Sequence, residues 1–177
     1  ACQEAGVVVI NIDTVVKDRE YVTSIIETDN YQAGVLCAQD MMKRVDEAEI
    51  VLIDSPGQAS INNRLQGFLD TIESNENYRI VYTGTSRGEF EISAKVMQEV
   101  LAEGVSFNVV LGGNDPSALG ALATLQQRHR EDGVLIYGID GSPDFKAMLK
   151  LGYVTGTSAQ SPETIGRVAA EIAYKYL

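Results

Sequence analysis

Short apolar runs alternate along the chain with longer segments of helical periodicity. The runs are rich in Val, Ile and Tyr and are apolar on consecutive positions, which predicts strands buried on both faces. Together these segments predict a doubly wound α/β fold, in which helices cover both faces of a parallel sheet. Strands are predicted at residues 7–12, 22–28, 50–53, 79–83, 107–111, 134–139 and 153–157. Helices are predicted at 31–45, 61–73, 92–103, 117–130, 143–151 and from 162 to the C-terminus.

Helix starts and ends carry local signals that support this assignment. Ser142 and Ser161 each precede a proline and an acidic residue, which predicts a capping serine at the start of a helix. Gly104, Gly133 and Gly152 follow predicted helices, as C-terminal caps do. The predicted elements therefore have defined limits.

The first two predicted strands are joined by a connection that departs from the general pattern. Residues 14–20 are too few and too polar to form the crossover helix that joins parallel neighbours. We therefore do not expect these strands to form an ordinary βαβ unit.

Composition excludes several classes of function. The 177 residues include 25 Asp and Glu against 14 Lys and Arg, giving a formal net charge of −11. A chain this acidic, without a basic patch, repels phosphates, so we expect no nucleic-acid partner. Every apolar run is well short of the ~18 residues that suggest a membrane span, so we expect no direct membrane insertion of this segment.

Cofactor and metal motifs are also missing from the sequence. His129 is the only histidine, and the two cysteines, Cys2 and Cys37, lack metal-ligand spacing. The chain has neither a Gly-x-x-x-x-Gly-Lys-Ser/Thr loop nor a Gly-x-Gly-x-x-Gly turn after a strand. We therefore expect no metal and no cofactor.

Polar side chains follow the carboxyl ends of most predicted strands, where open parallel sheets bind their ligands. Each of these residues could instead cap a helix, because Asp, Asn and Ser suit helix N-termini. Caps do not require Asn, Asp and Gln at so many successive strand ends, so the set favours a polar ligand. Its members are Asn11, Asp13, Asp54, Ser55, Asn114, Asp115, Asp140, Ser158 and Gln160.

The carboxylates among these residues leave an enzymatic alternative open. Asp13, Asp54, Asp115 and Asp140 could supply a pair for acid–base chemistry. No Gly-x-Ser-x-Gly elbow is present, and nothing nearby suggests a nucleophile. Carboxylates are also good acceptors for vicinal hydroxyl groups, so we expect a binding site and no enzyme.

Five motifs occur in order along the chain: GVVVINID at 6–13, NRLQGF at 63–68, NDPSALGAL at 114–122, YGIDGSP at 137–143 and AQSPETIG at 159–166. In this order and spacing they resemble the successive signatures of the type I periplasmic sugar-binding proteins, the ribose-binding group in particular. The resemblance covers essentially the whole chain.

This resemblance implies a two-lobed fold in which the chain crosses between lobes three times and a sugar is clamped in the cleft. Residues 1–28 would be a first-lobe fragment, 29–160 the second, sugar-binding lobe, and 161–177 a helix returning to the first lobe. The odd connection at 14–20 would then join two strands of the first lobe. The family positions that hydrogen-bond sugar hydroxyls correspond to Asp13, Arg64, Asn114, Asp140 and Gln160.

Three departures from the family pattern accompany the resemblance. Thr14 stands where ribose binders have an arginine. Gly88 occupies the position of the aromatic residue that stacks on the sugar, and Phe90 is the nearest substitute. Phe90 could equally be a core residue of the helix at 92–103. The opening βα units of the first lobe and its closing strand are not in this chain.

The resemblance implies a solute-binding protein that binds a monosaccharide outside the cytoplasmic membrane, in the periplasm or as a cell-surface lipoprotein. An ABC transporter permease would be its partner, and its N-terminal signal would lie outside this chain. The alternative is the effector-binding domain of a lactose-repressor-type regulator, which shares the fold. A secretion signal upstream would favour transport, and a helix-turn-helix would favour regulation.

Overall fold

The computed structural model describes residues 1, 2 and 4–176. Its strands, numbered in chain order, are β1 Ile10–Ile12, β2 Ser24–Ile26, β3 Ala48–Asp54, β4 Tyr78–Thr85, β5 Val109–Gly112, β6 Leu135–Asp140 and β7 Gly156–Ala159. Its α-helices are α1 Asn30–Arg44, α2 Ala59–Ile72, α3 Phe90–Ala102, α4 Asp115–Gln127, α5 Pro143–Lys150 and α6 Pro162–Tyr174.

The chain divides into two compact units. One, the small unit, contains Ala1–Asp29 and Gln160–Leu177, and the other, the large unit, contains Asn30–Ala159. The sequence-based limits lie at 28/29 and 160/161. That these units are lobes of a larger two-lobed protein remains a proposal.

The large unit is built on a five-stranded parallel sheet with strand order β4-β3-β5-β6-β7. The predicted doubly wound α/β class is therefore confirmed. The consecutive residues of β3 show why its sequence is a continuous apolar run. Ile50 and Leu52 pack with α1 and α2, whereas Val51 and Ile53 pack with α3 and α4 on the opposite face.

Several element limits differ from the predicted ones for local reasons. Helix α4 begins at Asp115 because the Asn114 side chain accepts a hydrogen bond from the Ser117 amide as its N-cap. Strand β7 begins at Gly156, three residues later than predicted. The chain closes α5 first, with Gly152 at φ +80° and the Tyr153 amide bonded to the Met148 carbonyl.

One of the two predicted serine caps is confirmed and the other is wrong. Ser142 accepts a hydrogen bond from the Phe145 amide at the start of α5. Ser161 precedes α6 but forms no side-chain cap, and its hydroxyl donates to Thr164 Oγ1 instead. The predicted final helix ends at Tyr174, and Leu177 lies outside the described residues.

In the small unit, β1 and β2 are parallel, hydrogen-bonded neighbours, with Ile10 opposite Ser24. Helix α6 lies against both strands. The connection contains no crossover helix, only a 3-10 turn at Arg19–Tyr21. Each strand has three residues, so the chain must return by only about 10 Å, which an irregular connection spans.

Candidate ligand-binding site

Arg64 is buried in the large unit, next to the carboxyl ends of β5 and β6. It lies on α2 with 4% of its surface exposed, so it is not one of the solvent-exposed arginines common on helix surfaces. Its Nε donates to Asn30 Oδ1 and its Nη1 to the Gly113 carbonyl, both at 2.9 Å. Nη1 also lies 3.2 Å from Asp140 Oδ1. Contacts from α1, the β5–α4 loop and the end of β6 therefore fix the guanidinium.

Two glycines allow α1 to approach α2 closely enough for these contacts. A Cβ added at Gly34 would overlap the carbonyl oxygen of Arg64. A Cβ added at Gly67 would overlap the carbonyl oxygen of Tyr31. The backbones therefore meet directly, and Asn30 at the start of α1 reaches the Arg64 side chain.

Asp140 ends β6 in an unusual backbone conformation. Its φ is +151° and that of the following Gly141 is +71°, both in a region that L-residues seldom adopt. One carboxylate oxygen faces Arg64, and the other lies 3.4 Å from the Asp115 amide nitrogen, which donates to it. Backbone strain of this kind persists only where surrounding contacts hold it, and it concentrates at functional sites.

Asp115 is a buried hydrogen-bond acceptor, which the sequence did not indicate. Its carboxylate is completely buried and accepts hydrogen bonds from the Ser142 amide at 2.6 Å and from Thr157 Oγ1 at 2.7 Å. Gly138 lacks the Cβ that would overlap its Oδ1. An acid in the first turn of a helix is common at the surface, so the sequence gives no signal that this one is buried.

Asn114 holds a loop as well as capping α4. Its Nδ2 donates to the Gly88 carbonyl at 3.0 Å, and Gln58 Nε2 donates to the neighbouring Arg87 carbonyl at 3.1 Å. Arg87 and Gly88 both have positive φ, of +58° and +77°. In this loop conformation a side chain at position 88 would be strained and would press against Asn114 Nδ2.

Phe90 is the first residue of α3, immediately after this loop. Its side chain is 40% exposed, and it belongs to neither core cluster of the large unit. The core interpretation of Phe90 is therefore wrong. Its role as a surface for sugar stacking remains a prediction.

The small unit carries the two remaining predicted ligand residues. Asp13 follows β1 with φ +69°, and its exposed carboxylate accepts from Thr14 Oγ1 at 3.4 Å. Asn11 shapes the turn around it, because its side chain donates to the Thr14 carbonyl. Gln160 Oε1 accepts from Thr28 Oγ1 at 2.9 Å, and this bond joins two distant parts of the chain.

The predicted site residues thus fall into two sets. Arg64 and Asp140 are in direct contact within the large unit, which also contains Asn114 and Phe90. Asp13 and Gln160 belong to the small unit. A fixed guanidinium and carboxylate offer charge-assisted hydrogen bonds to both the lone pairs and the protons of hydroxyl groups, which suits an uncharged polyol ligand.

Neither a cluster of metal ligands nor a membrane-spanning helix occurs among the residues that the structure describes. Among them, no three or more His, Cys, Asp or Glu side chains are grouped so that they could hold a metal ion. Of the helices described, none has the length and apolar character needed to cross a membrane.

A parallel α/β unit with paired, hydrogen-bonded Arg and Asp side chains at its strand ends is typical of a domain that binds a polar small molecule. The chain belongs to the periplasmic binding protein domain family. The model of the periplasmic binding protein domain matches residues 1–177.

Relatives with assigned functions are similar over most of this chain. The ribose import binding protein RbsB of Salmonella typhimurium is 29% identical over 158 residues, which are 88% of this chain and 53% of that protein. RbsB of Escherichia coli is 28% identical over 176 residues, covering 98% and 58%. The chain therefore spans little more than half the length of these relatives.

A solved structure shows the same fold. It is an ABC transporter solute binding protein from Bacillus halodurans with bound myo-inositol, with a TM-score of 0.93 and 24% identity. The match covers 99% of this chain and 62% of that one.

Proposed function

We propose that this chain is part of a solute-binding protein of an ABC importer, which binds a monosaccharide between two lobes and delivers it to the permease. The protein would act outside the cytoplasmic membrane and would not be an enzyme. The observation that carries the proposal is the ion pair between buried Arg64 and partly exposed Asp140 at the strand ends, in a chain of the periplasmic binding protein family. The names of the ribose import binding relatives support a sugar as the ligand and disfavour a repressor domain.

The proposed site residues would share the hydrogen bonds to the sugar. They are Asp13, Arg64, Asn114, Asp140 and Gln160. Phe90 would cover an apolar C–H face of the sugar ring. In the intact two-lobed protein that we propose, a ligand bound by both lobes would stabilise the closed state over the open one, and the permease would recognise the closed state.

Calorimetry on the full-length protein tests the proposal. Titration with D-ribose, D-allose and myo-inositol should identify a sugar that binds. Asp140→Asn keeps the shape of the side chain but removes its charge, and Arg64→Lys removes the planar donors. Each should weaken binding by ~1.5–3 kcal/mol, or about 10- to 150-fold in Kd.

Asp46→Asn is the matched control, because Asp46 is exposed just before β3, at the opposite edge of the sheet. It should leave the affinity unchanged. The proposed function is wrong if the wild-type protein binds none of these sugars or related monosaccharides. The site assignment alone is wrong if a sugar binds and both site variants keep the wild-type Kd.

A further inference from the structure

We propose that Asp115 and Thr157 are positioning residues, which fix the turn Asp140–Gly141–Ser142 and thereby aim the Asp140 carboxylate at sugar hydroxyls. The inference rests on the proposed function for its ligand. Neither residue is assigned to contact the sugar. Their side chains act on the backbone of the turn, and the Asp115 amide also donates to the Asp140 carboxylate.

Every residue of the turn is bonded to this pair. The Asp140 carboxylate accepts from the Asp115 amide, the Gly141 amide donates to Thr157 Oγ1 at 3.0 Å, and the Ser142 amide donates to Asp115 Oδ2. Thr157 Oγ1 in turn donates to Asp115 Oδ1. The pair therefore forms one connected network under the turn.

The network stabilises a strained backbone conformation of the turn. Asp140 and Gly141 both have positive φ, and such backbone relaxes unless neighbouring contacts hold it. The Asp115 carboxylate is completely buried, so its hydrogen bonds do not compete with water. Removing the Thr157 hydroxyl leaves the buried Asp115 Oδ1 without its donor and the Gly141 amide without its acceptor.

The test uses three threonine variants of the full-length protein. Thr157→Val removes the hydroxyl and keeps the shape, and Thr157→Ser restores it. Thr124→Val is the matched control, since Thr124 is 2% exposed and its hydroxyl donates to the Ala94 carbonyl of α3, which is not part of the network under the turn. Both valine variants should lose thermal stability.

Only Thr157→Val should change the turn and the binding. Hydrogen exchange of a peptide covering residues 138–145 should accelerate in Thr157→Val and Asp115→Asn, and stay at the wild-type rate in Thr157→Ser and Thr124→Val. The Kd for the sugar should rise about 10- to 100-fold in Thr157→Val, which corresponds to one or two lost buried hydrogen bonds.

A double-mutant cycle separates positioning from direct contact. When Asp140→Asn is already present, Thr157→Val should add little further loss of affinity, because both act through one carboxylate. Additive losses, or unchanged exchange of the turn in Thr157→Val, would overturn the inference. Failure of the wild-type protein to bind sugar would remove the proposed function, while the exchange experiment would still decide whether the pair holds the turn.

Discussion

Tyr137 shows how packing changes the chemistry of a single residue. It lies in β6 with 1% of its surface exposed, and its hydroxyl donates to Asp40 Oδ2 on α1 at 2.8 Å. Burial, followed by this hydrogen bond, raises the pKa of Tyr137 far above its ordinary value of 10.0. Asp40 also accepts from Arg44, which lowers the pKa of its carboxyl. The fold thus holds Tyr137 neutral and Asp40 ionised.

These shifts predict how stability depends on pH. The folded state has a raised Tyr137 pKa, so its contribution to stability is present below about pH 10 and is lost as pH rises further. Tyr137→Phe should therefore flatten the decline in the free energy of unfolding between pH 9 and 11, at a cost of ~0.5–1.5 kcal/mol at pH 7. Urea denaturation followed by circular dichroism measures both effects.

Tyr153→Phe is the control for this experiment, because Tyr153 is 46% exposed. It should follow the wild-type curve. An unchanged alkaline decline in Tyr137→Phe would contradict the assignment of that decline to the buried hydroxyl.

At the scale of elements, direct contact between α1 and α2 determines the position of Arg64, a proposed ligand residue. Gly34 and Gly67 face the backbone of the opposite helix, so Asn30 can bond to Arg64. A glycine inside a helix lowers its stability by roughly 0.5–1 kcal/mol relative to alanine. Here that cost is offset by a close approach that no other residue permits.

Gly34→Ala should therefore destabilise the protein by about 1–3 kcal/mol, the usual range for overpacking, and should weaken sugar binding by displacing Arg64. Gly166→Ala is the matched control, because Gly166 lies within α6 and an added Cβ meets no atom within 4 Å. The control should be neutral or slightly stabilising. Equal effects of the two substitutions in denaturant titrations would contradict the packing argument.

At the scale of the whole molecule, the two units differ in what stabilises them. The buried apolar side chains belong to the large unit, in clusters on both faces of its sheet. None of the described residues of the small unit is buried. Since apolar burial is the main driving force of folding, the large unit has its own source of stability.

A fragment of residues 30–159 should therefore fold without the rest of the chain. We expect cooperative thermal unfolding with a midpoint within a few degrees of that of the 177-residue chain. A shorter fragment, 30–150, lacks β7 and the buried Val154 and should be clearly less stable. Circular dichroism measures both midpoints, and a non-cooperative transition in 30–159 would show that its stability depends on the small unit.

The strands, the helices and the edge on which polar residues gather follow from local sequence. Strands such as β3 can be recognised in the sequence as continuous apolar runs, because both faces of the strand are covered. Asp140 and Asn114 could be placed at the ligand edge because parallel strands end on the same side of a sheet. These features depend on neighbours in the chain, so the sequence by itself determined them.

The tertiary structure alone decided which side chains meet. The sequence did not show that Arg64 and Asp115 are buried, and it left open whether Phe90 is a core residue, because burial depends on elements distant in sequence. The connection between β1 and β2 lacks a crossover helix, as expected, but their parallel pairing could not be predicted, because both strands pack against the distant α6 helix. Local periodicity carries no information about such contacts. The tertiary contacts hold the polar residues at the strand ends in fixed positions, as the Arg64–Asp140 pair shows.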